Sequence, residues 1–273
     1  MLIDTHAHLN FNAYKDDAPE VVRRSLAEGI WTINVGSQYS TSRRAIQMAK
    51  EYGPGVFAAV GLHPIHLAKG IFKTKVDQEE IEFETREEEF DYEKYKALAQ
   101  DEKVVAIGEI GLDYWYKPKS QAKLSEFKDL QIATLKSQIQ LAKELDLPII
   151  FHCRLAQSDL LKILKEEKGV KGVIHCFTGN LAEAKEFLSL GFYLGFNGII
   201  FKLNLDEVIK EVPLDKIVLE TDCPYLTPPL KEGRNEPSYI KYVAEKIAKL
   251  KNLSYQEVSD ITTQNAKKLF KIS

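Results

Sequence analysis

Short apolar runs alternate with longer amphipathic stretches along the whole chain. Runs of apolar and β-branched residues predict strands at Leu2–Thr5, Trp31–Val35, Val56–Val60, Val104–Gly108, Pro148–His152, Val173–His175, Phe192–Gly195 and Ile217–Thr221. Between them, helical patterns cover Pro19–Glu28, Thr41–Glu51, Phe127–Leu145, Ser158–Glu167, Leu181–Leu190, Asp206–Lys210 and Ser238–Leu250. In the third of these the stripe is read at Leu130, Leu135, Ile139 and Leu141–Ala142. A last helix is expected over Ser254–Phe270, where Ser254 and Glu257 have the spacing of a capping box. Strands alternating with helices predict parallel βαβ units, which a closed barrel or an open doubly wound sheet would satisfy. The strand count favours the barrel. The expected fold is α/β, a single TIM-type (β/α)8 barrel domain over residues 1–273 with an additional C-terminal helix. The length of 273 residues is close to the ~250 that such a barrel takes.

Polar residues interrupt the ends of these apolar runs. In Asp4-Thr5-His6-Ala7-His8 the strand period of two puts Asp4, His6 and His8 on one face. Glu109 follows Val104–Gly108, His152 ends Pro148–His152, His175 ends Val173–His175, and Ile217–Leu219 runs into Glu220, Thr221 and Asp222. Any one of these is readily a satisfied core histidine or a capping acid. Together they place His6, His8, Glu109, His152, His175 and Asp222 on the C-terminal rim of a barrel, where active sites sit. Charged groups there are costly unless paired or metal-bound.

Six nitrogen and oxygen donors exceed what one open tetrahedral site uses. They suit two divalent ions sharing a carboxylate, with Glu109 as the bridge. His6, His8 and Asp222 would hold one ion and His152 and His175 the other. Such a donor set suits zinc, manganese or iron, and magnesium less comfortably. Metal-activated water then attacks a phosphoester, amide or lactone, with Asp222 and Glu109 as the catalytic carboxylates and Asp222 taking the proton. Asp4 or Glu220, one step deeper, is expected to orient a ligand imidazole; the bland alternative pairs them with Arg154 or Lys202. Cys153, Cys176 and Cys223 each follow a ligand, so alternation turns them away from the site as small buried hydrophobes, least securely for Cys223.

Hydrophobic residues make up 44% of the chain and the net charge is −3, so no broad basic surface announces nucleic acid. Three cysteines argue against a disulfide framework. No signal-like leader or membrane-length apolar run is read, and the expectation is a reduced, cytoplasmic protein with no obligate protein partner. An acidic excursion over 69–96 follows the third strand. From Asp77 to Lys96 only Arg86, Lys94 and Lys96 oppose its acidic side chains. It reads either as a solvated lead into a surface helix or as a flap on the catalytic face.

These residues form a pattern that resembles the TatD family of metal-dependent deoxyribonucleases. The matching stretches are Asp4–Leu9, Gly61–Pro64, Gly108–Tyr114, His152–Arg154, His175–Gly179, Glu220–Leu226 and Arg234–Pro237, in family order across most of the chain. The resemblance implies two divalent metals on the six ligands and 3′→5′ exonuclease or related phosphodiester hydrolysis, on single-stranded DNA, 3′ ends or a small phosphoester. It implies substrate contacts at His63 and Arg154, although rim hydrogen bonding fits both equally. Asn197 stands where the family often has serine. Barrels that resemble phosphotriesterases bridge their metals with a modified lysine, for which Glu109 leaves no need. Tyr114, Trp115, Tyr116 and Lys117 would supply either a track for a nucleic acid strand or loop packing.

Overall fold

The computed structural model describes residues 1–67, 88–115 and 117–273. Eight strands line up in sequence order, all parallel: β1 (Leu2–Ala7), β2 (Ile30–Val35), β3 (Val56–Val60), β4 (Val104–Asp113), β5 (Ile149–Arg154), β6 (Gly172–Ile174), β7 (Tyr193–Phe196) and β8 (Ile217–Leu219). The seam between β1 and β8 closes through a parallel bridge between Ala7 and Cys223. His8 N donates to Cys223 O at 2.9 Å and Asp222 N to His6 O at 2.8 Å. The barrel is therefore zipped shut by the backbone of three predicted ligands.

Around the strands lie α1 (Ala18–Ala27), α2 (Tyr39–Tyr52), α3 (Tyr92–Ala99), α4 (Gln121–Glu144), α5 (Gln157–Glu166), α6 (Leu181–Ser189), α7 (Asp206–Glu211), α8 (Ile240–Lys251) and α9 (Tyr255–Phe270). Among the described residues no helix is long and apolar enough to cross a membrane. Strand alternation sorts the core into two shells. Leu2, Val56, Ile107 and Leu219 pack outward under the helices, and Ile3, Ile33, Val105, Ile150 and Val218 pack inward. Full burial of each such side chain is worth about 1.5–3 kcal/mol.

The C-terminal helix α9 has a structural job. Its cap is reciprocal, Ser254 Oγ accepting from Glu257 N while Glu257 accepts from Ser254 N. Ala266, Leu269, Phe270 and Ile272 join the inward shell, and Thr263 and Asn265 bond the backbone of Met1, Leu214 and Ile217. These are the starts of β1 and β8, so α9 covers the end of the barrel opposite the rim.

Two differences from the expected pattern matter for the site. β4 extends to Asp113, so Glu109 lies inside a strand rather than at its end. Its register on β5 slips by one residue between Ile107 and Ile110, and β1 slips on β2 between Asp4 and Ala7. Each slip is a bulge that re-aims side chains at a barrel rim, and simple alternation does not hold across it. On α4, Leu130 faces solvent, whereas Gln131 and Gln138 are buried. The acidic excursion lies outside the described residues up to position 87. Beyond it, Glu88 accepts from Tyr39 N and the Tyr95 hydroxyl, and Asp91 caps α3.

Candidate metal centre

The side chains of Glu109, His6, His8, His152, His175 and Asp222 meet on the rim. Glu109 divides them. Its Oε2 faces His6 Nε2 at 3.3 Å and His8 Nε2 at 4.0 Å. Asp222 Oδ1 completes this first cluster, 3.8 Å from His6 Nε2 and 3.5 Å from His8 Nε2. Glu109 Oε1 faces the second cluster, His152 Nδ1 at 2.6 Å and His175 Nε2 at 3.4 Å. The His6 and His175 rings stack between the clusters with centroids 3.6 Å apart.

The donor chemistry of both clusters fits divalent cations. His8 Nδ1 donates to Val35 O at 2.9 Å. A carbonyl only accepts, so the neutral ring presents its Nε2 lone pair to His6 Nε2, 3.1 Å away, and to two carboxylates. The His8 lone pair and two carboxylates converge beside His6 Nε2, a donor set that a cation between them would satisfy. In the second cluster His152 lies between two carboxylates, Glu109 on Nδ1 and Asp113 on Nε2 at 3.1 Å. His175 Nδ1 donates to Glu220 Oε2 at 2.5 Å. Groups of such donors, each within coordinating reach among the described residues, are His6–His8–Asp222, Glu109–His152–His175 and His63–Asp113–His152, with His6–His175–Glu220 and His175–Cys176–Asp222 lying across the two clusters.

The electrostatics differ between clusters. Burial, reinforced by His175, pushes His6 down to about 4. Burial also pulls at His8, but the Asp222 carboxylate beside it prevails and raises its pKa. Burial opposes the charged forms of His152 and His175 too. Glu109 and Asp113 nevertheless raise His152 to about 9, and Glu220 and Glu109 raise His175 to about 10. Against burial, the surrounding imidazoles hold Glu109 well below the ordinary carboxylate range, and His8 lowers Asp222.

Of the two deeper carboxylates, Glu220 reaches an imidazole and Asp4 does not. Asp4 accepts from Thr221 N at 2.9 Å, from the Thr221 hydroxyl at 2.5 Å and from His6 N at 3.2 Å, and burial pushes it up to about 7. Neither pairs with Arg154 or Lys202, both exposed. Glu220 lies against Gly195, where a Cβ would come 1.5 Å from Oε1. Gly111 has φ +154°, and a Cβ there would meet the His152 carbonyl at 1.9 Å, so only glycine lets β4 pass this close to β5.

Cys153 and Cys223 are buried in the outer shell, as alternation predicts. Cys176 is not. β6 ends at Ile174, Cys176 takes φ +45°, and its Sγ turns into the site 3.6 Å from Asn197 Oδ1. Asp222 is also left-handed, with φ +58°. Non-glycine residues in this region carry strain that clusters at functional sites. Asn197 is fully buried; its Oδ1 accepts from Ile199 N at 3.0 Å, and its Nδ2 has no partner among the described residues. His63 lies against the shared carboxylate, Nε2 3.5 Å from Glu109 Oε1, with burial lowering its pKa. Arg154 is at the exposed edge. Of the aromatic track, Tyr114 is packing: it is buried, and its hydroxyl donates to Asp159 at 2.9 Å. Tyr116 lies outside the described residues.

Sequence reasoning missed Asp113 and the two α4 glutamines. Gln138 clamps the Leu62 backbone through both N–H and C=O, and Gln131 does the same for Asp113. One helix thereby fixes the residues beside His63 and His152. Asn235 donates to the carbonyls of Thr221 and Tyr225, so the Arg234–Pro237 motif braces the loop that carries Asp222.

Comparison with known proteins gives the family. Residues 3–271 match the family described as TatD related DNase. The chain is 45% identical to the uncharacterized metal-dependent hydrolase YabD of Bacillus subtilis (strain 168), with all of both chains covered. It is 33% identical to the human deoxyribonuclease TATDN3 over 98% of this chain and 94% of that one. Among solved structures, the TatD homologue YJJV of Escherichia coli K12 superposes with a TM-score of 0.82 at 28% identity, covering 100% of this chain and 98% of that one.

Proposed function

The chain belongs to the TatD family of metal-dependent hydrolases, and from that premise we propose that it is a two-metal deoxyribonuclease removing nucleotides from DNA ends in the 3′→5′ direction. The split contact of Glu109, one oxygen toward each cluster, carries the two-metal reading. His6, His8 and Asp222 would hold one ion, His152 and His175 the other, with Glu109 shared. When bound, two such ions supply an acidified water and neutralise charge on the phosphoryl oxygens. Zinc, manganese and magnesium are the candidates.

The protein's own groups do the rest. Asp222, kept ionised by its imidazole neighbours, accepts the proton of the attacking water at a carboxylate oxygen. Glu220 and Asp113 hold the His175 and His152 rings in orientation and fix which nitrogen faces inward. His63 and the buried, unpartnered Asn197 amide would donate to phosphate oxygens, and the exposed Arg154 fork would meet the strand at the rim.

A second reading, hydrolysis of a small phosphoester, amide or lactone on the same site, is favoured by the net charge of −3. A substrate panel decides between them. Single-stranded DNA, duplex DNA, RNA and small esters are offered with Mn²⁺, Zn²⁺ or Mg²⁺. Shortening of DNA from its 3′ end is the expected outcome. Turnover of small esters with intact DNA would replace the nuclease reading with the second.

A further inference from the structure

Trp115 stands at the mouth of the barrel with 54% of its surface exposed. Singly exposed aromatic residues need no explanation, but the placement of this one is specific. It lies two residues past Asp113, whose carboxylate touches His152. Asp113 is paired across β4 and β5 with Arg154, and Tyr114 N donates to Arg154 O at 2.9 Å. The other Asp113 oxygen accepts from Trp115 N at 2.8 Å, fixing the turn that presents the indole. The Arg154 guanidinium lies over the ring, 4.5 Å from its centroid. At roughly 3.3 Å per strand residue, Arg154 sits ~7 Å beyond His152, so the platform begins just outside the ligand layer. Leu155, the next residue, is 59% exposed and widens the apolar patch.

We propose that Trp115, braced by Arg154, stacks the nucleobase next to the scissile phosphodiester and thereby selects unpaired ends. This rests on the nuclease reading above. A chain of net charge −3 gains little from general attraction to phosphate. Stacking on an aromatic face is independent of that charge and tolerates any base. A base inside a duplex has both faces covered by its neighbours, so a platform of this kind takes a single-stranded or frayed end.

The test uses the full-length, Mn²⁺-loaded enzyme on an oligodeoxyadenylate and on the same strand with abasic residues at its end. Trp115→Ala is expected to raise KM for the normal strand by about tenfold or more, the loss falling on KM rather than kcat. Trp115→Phe, which keeps an aromatic face, recovers most of it. The wild type should lose a similar factor on the abasic strand, and Trp115→Ala should be nearly indifferent to base removal. Because Trp31 opens β2 at the opposite end of the barrel, Trp31→Phe leaves Trp115 as the reporter, and single-stranded oligonucleotide should quench its fluorescence. An unchanged KM in Trp115→Ala, or equal sensitivity of both enzymes to base removal, overturns the platform while leaving the nuclease reading intact. A wild type that hydrolyses methyl p-nitrophenyl phosphate but no strand removes the nuclease reading, and the platform with it.

Discussion

The two halves of the proposed metal centre are built on opposite principles. The first half, His6, His8 and Asp222, sits on the seam where β1 meets β8, and its histidines lean on backbone or on nothing. His8 Nδ1 donates to a carbonyl, and His6 Nδ1 is buried with no partner among the described residues. In the second half each histidine is tied to a carboxylate, His152 to Asp113 and His175 to Glu220. A carboxylate behind an imidazole makes it a stronger donor and also a stronger base. In the metal-free protein, His152 and His175 therefore hold protons up to about 9 and 10, while His6 is neutral down to about 4. The second half gains donor strength at the cost of competition with protons. The first half has weaker donors and, at His6, no proton to displace.

Removing the shared group should have the largest effect. Glu109→Ala is expected to lower kcat/KM for any hydrolysed substrate by at least ~10³-fold, because on the two-metal reading both halves lose a ligand. Steady-state kinetics on the best substrate of the panel measures this. Retention of wild-type activity would mean that the halves do not work through Glu109.

Glu220→Gln and Asp113→Asn sharpen the contrast. Each should weaken one metal equivalent by roughly 10–100-fold and leave the other untouched, which competition with a chelating dye resolves. A loss spread equally over both equivalents would count against separate halves.

Asp4→Ala is the control from the same layer. It leaves the Thr221 amide and hydroxyl without their acceptor, so a destabilisation of about 1–3 kcal/mol is expected, with metal affinity unchanged. Denaturant unfolding and the dye assay together test it.

The smallest effect is on pH response, where among the histidines of the two halves His6 alone has the sign opposite to His8, His152 and His175. His152 and His175 have pKa values raised above the ordinary 6.5, so their contribution to metal-free stability is complete below that pH and fades as pH rises through about 9 to 10. His6 is lowered, so its contribution is complete above 6.5 and fades as pH falls toward about 4. The thermal midpoint of the metal-free protein should decline from pH 7 to 10. Glu220→Gln should flatten that decline without altering the fall on the acid side. Scanning calorimetry across pH measures both slopes, and an unchanged decline in Glu220→Gln would contradict the assignment to His175.

The barrel and the six side chains that meet on its rim were legible in the sequence because polar residues stand out against apolar strand runs. His6 and His8 could be read from their spacing, and His152, His175 and Asp222 from strand ends. What escaped depends on partners rather than on local pattern. The bulges of β1 and β4 are mismatches of register between two strands, invisible in either alone. Cys176 enters the site because a left-handed residue breaks the alternation after β6. Asp113 joins the site only because β4 runs that far, well past the predicted end at Gly108. Gln131 and Gln138 lie beside the apolar stripe of α4, and only the packed structure shows each buried to satisfy the backbone of Asp113 or Leu62. For Tyr114 the sequence left a strand track and loop packing open, and the hydroxyl bond to Asp159 selects packing.

Counting bound ions tests the shared site most directly. Native mass spectrometry of the metal-free chain, titrated with Mn²⁺ or Zn²⁺, should give two ions per chain in the wild type. At the same free metal concentration Glu109→Ala should hold no more than one. Saturation of the wild type at a single ion, or two ions of unchanged affinity in Glu109→Ala, would contradict a centre bridged by Glu109.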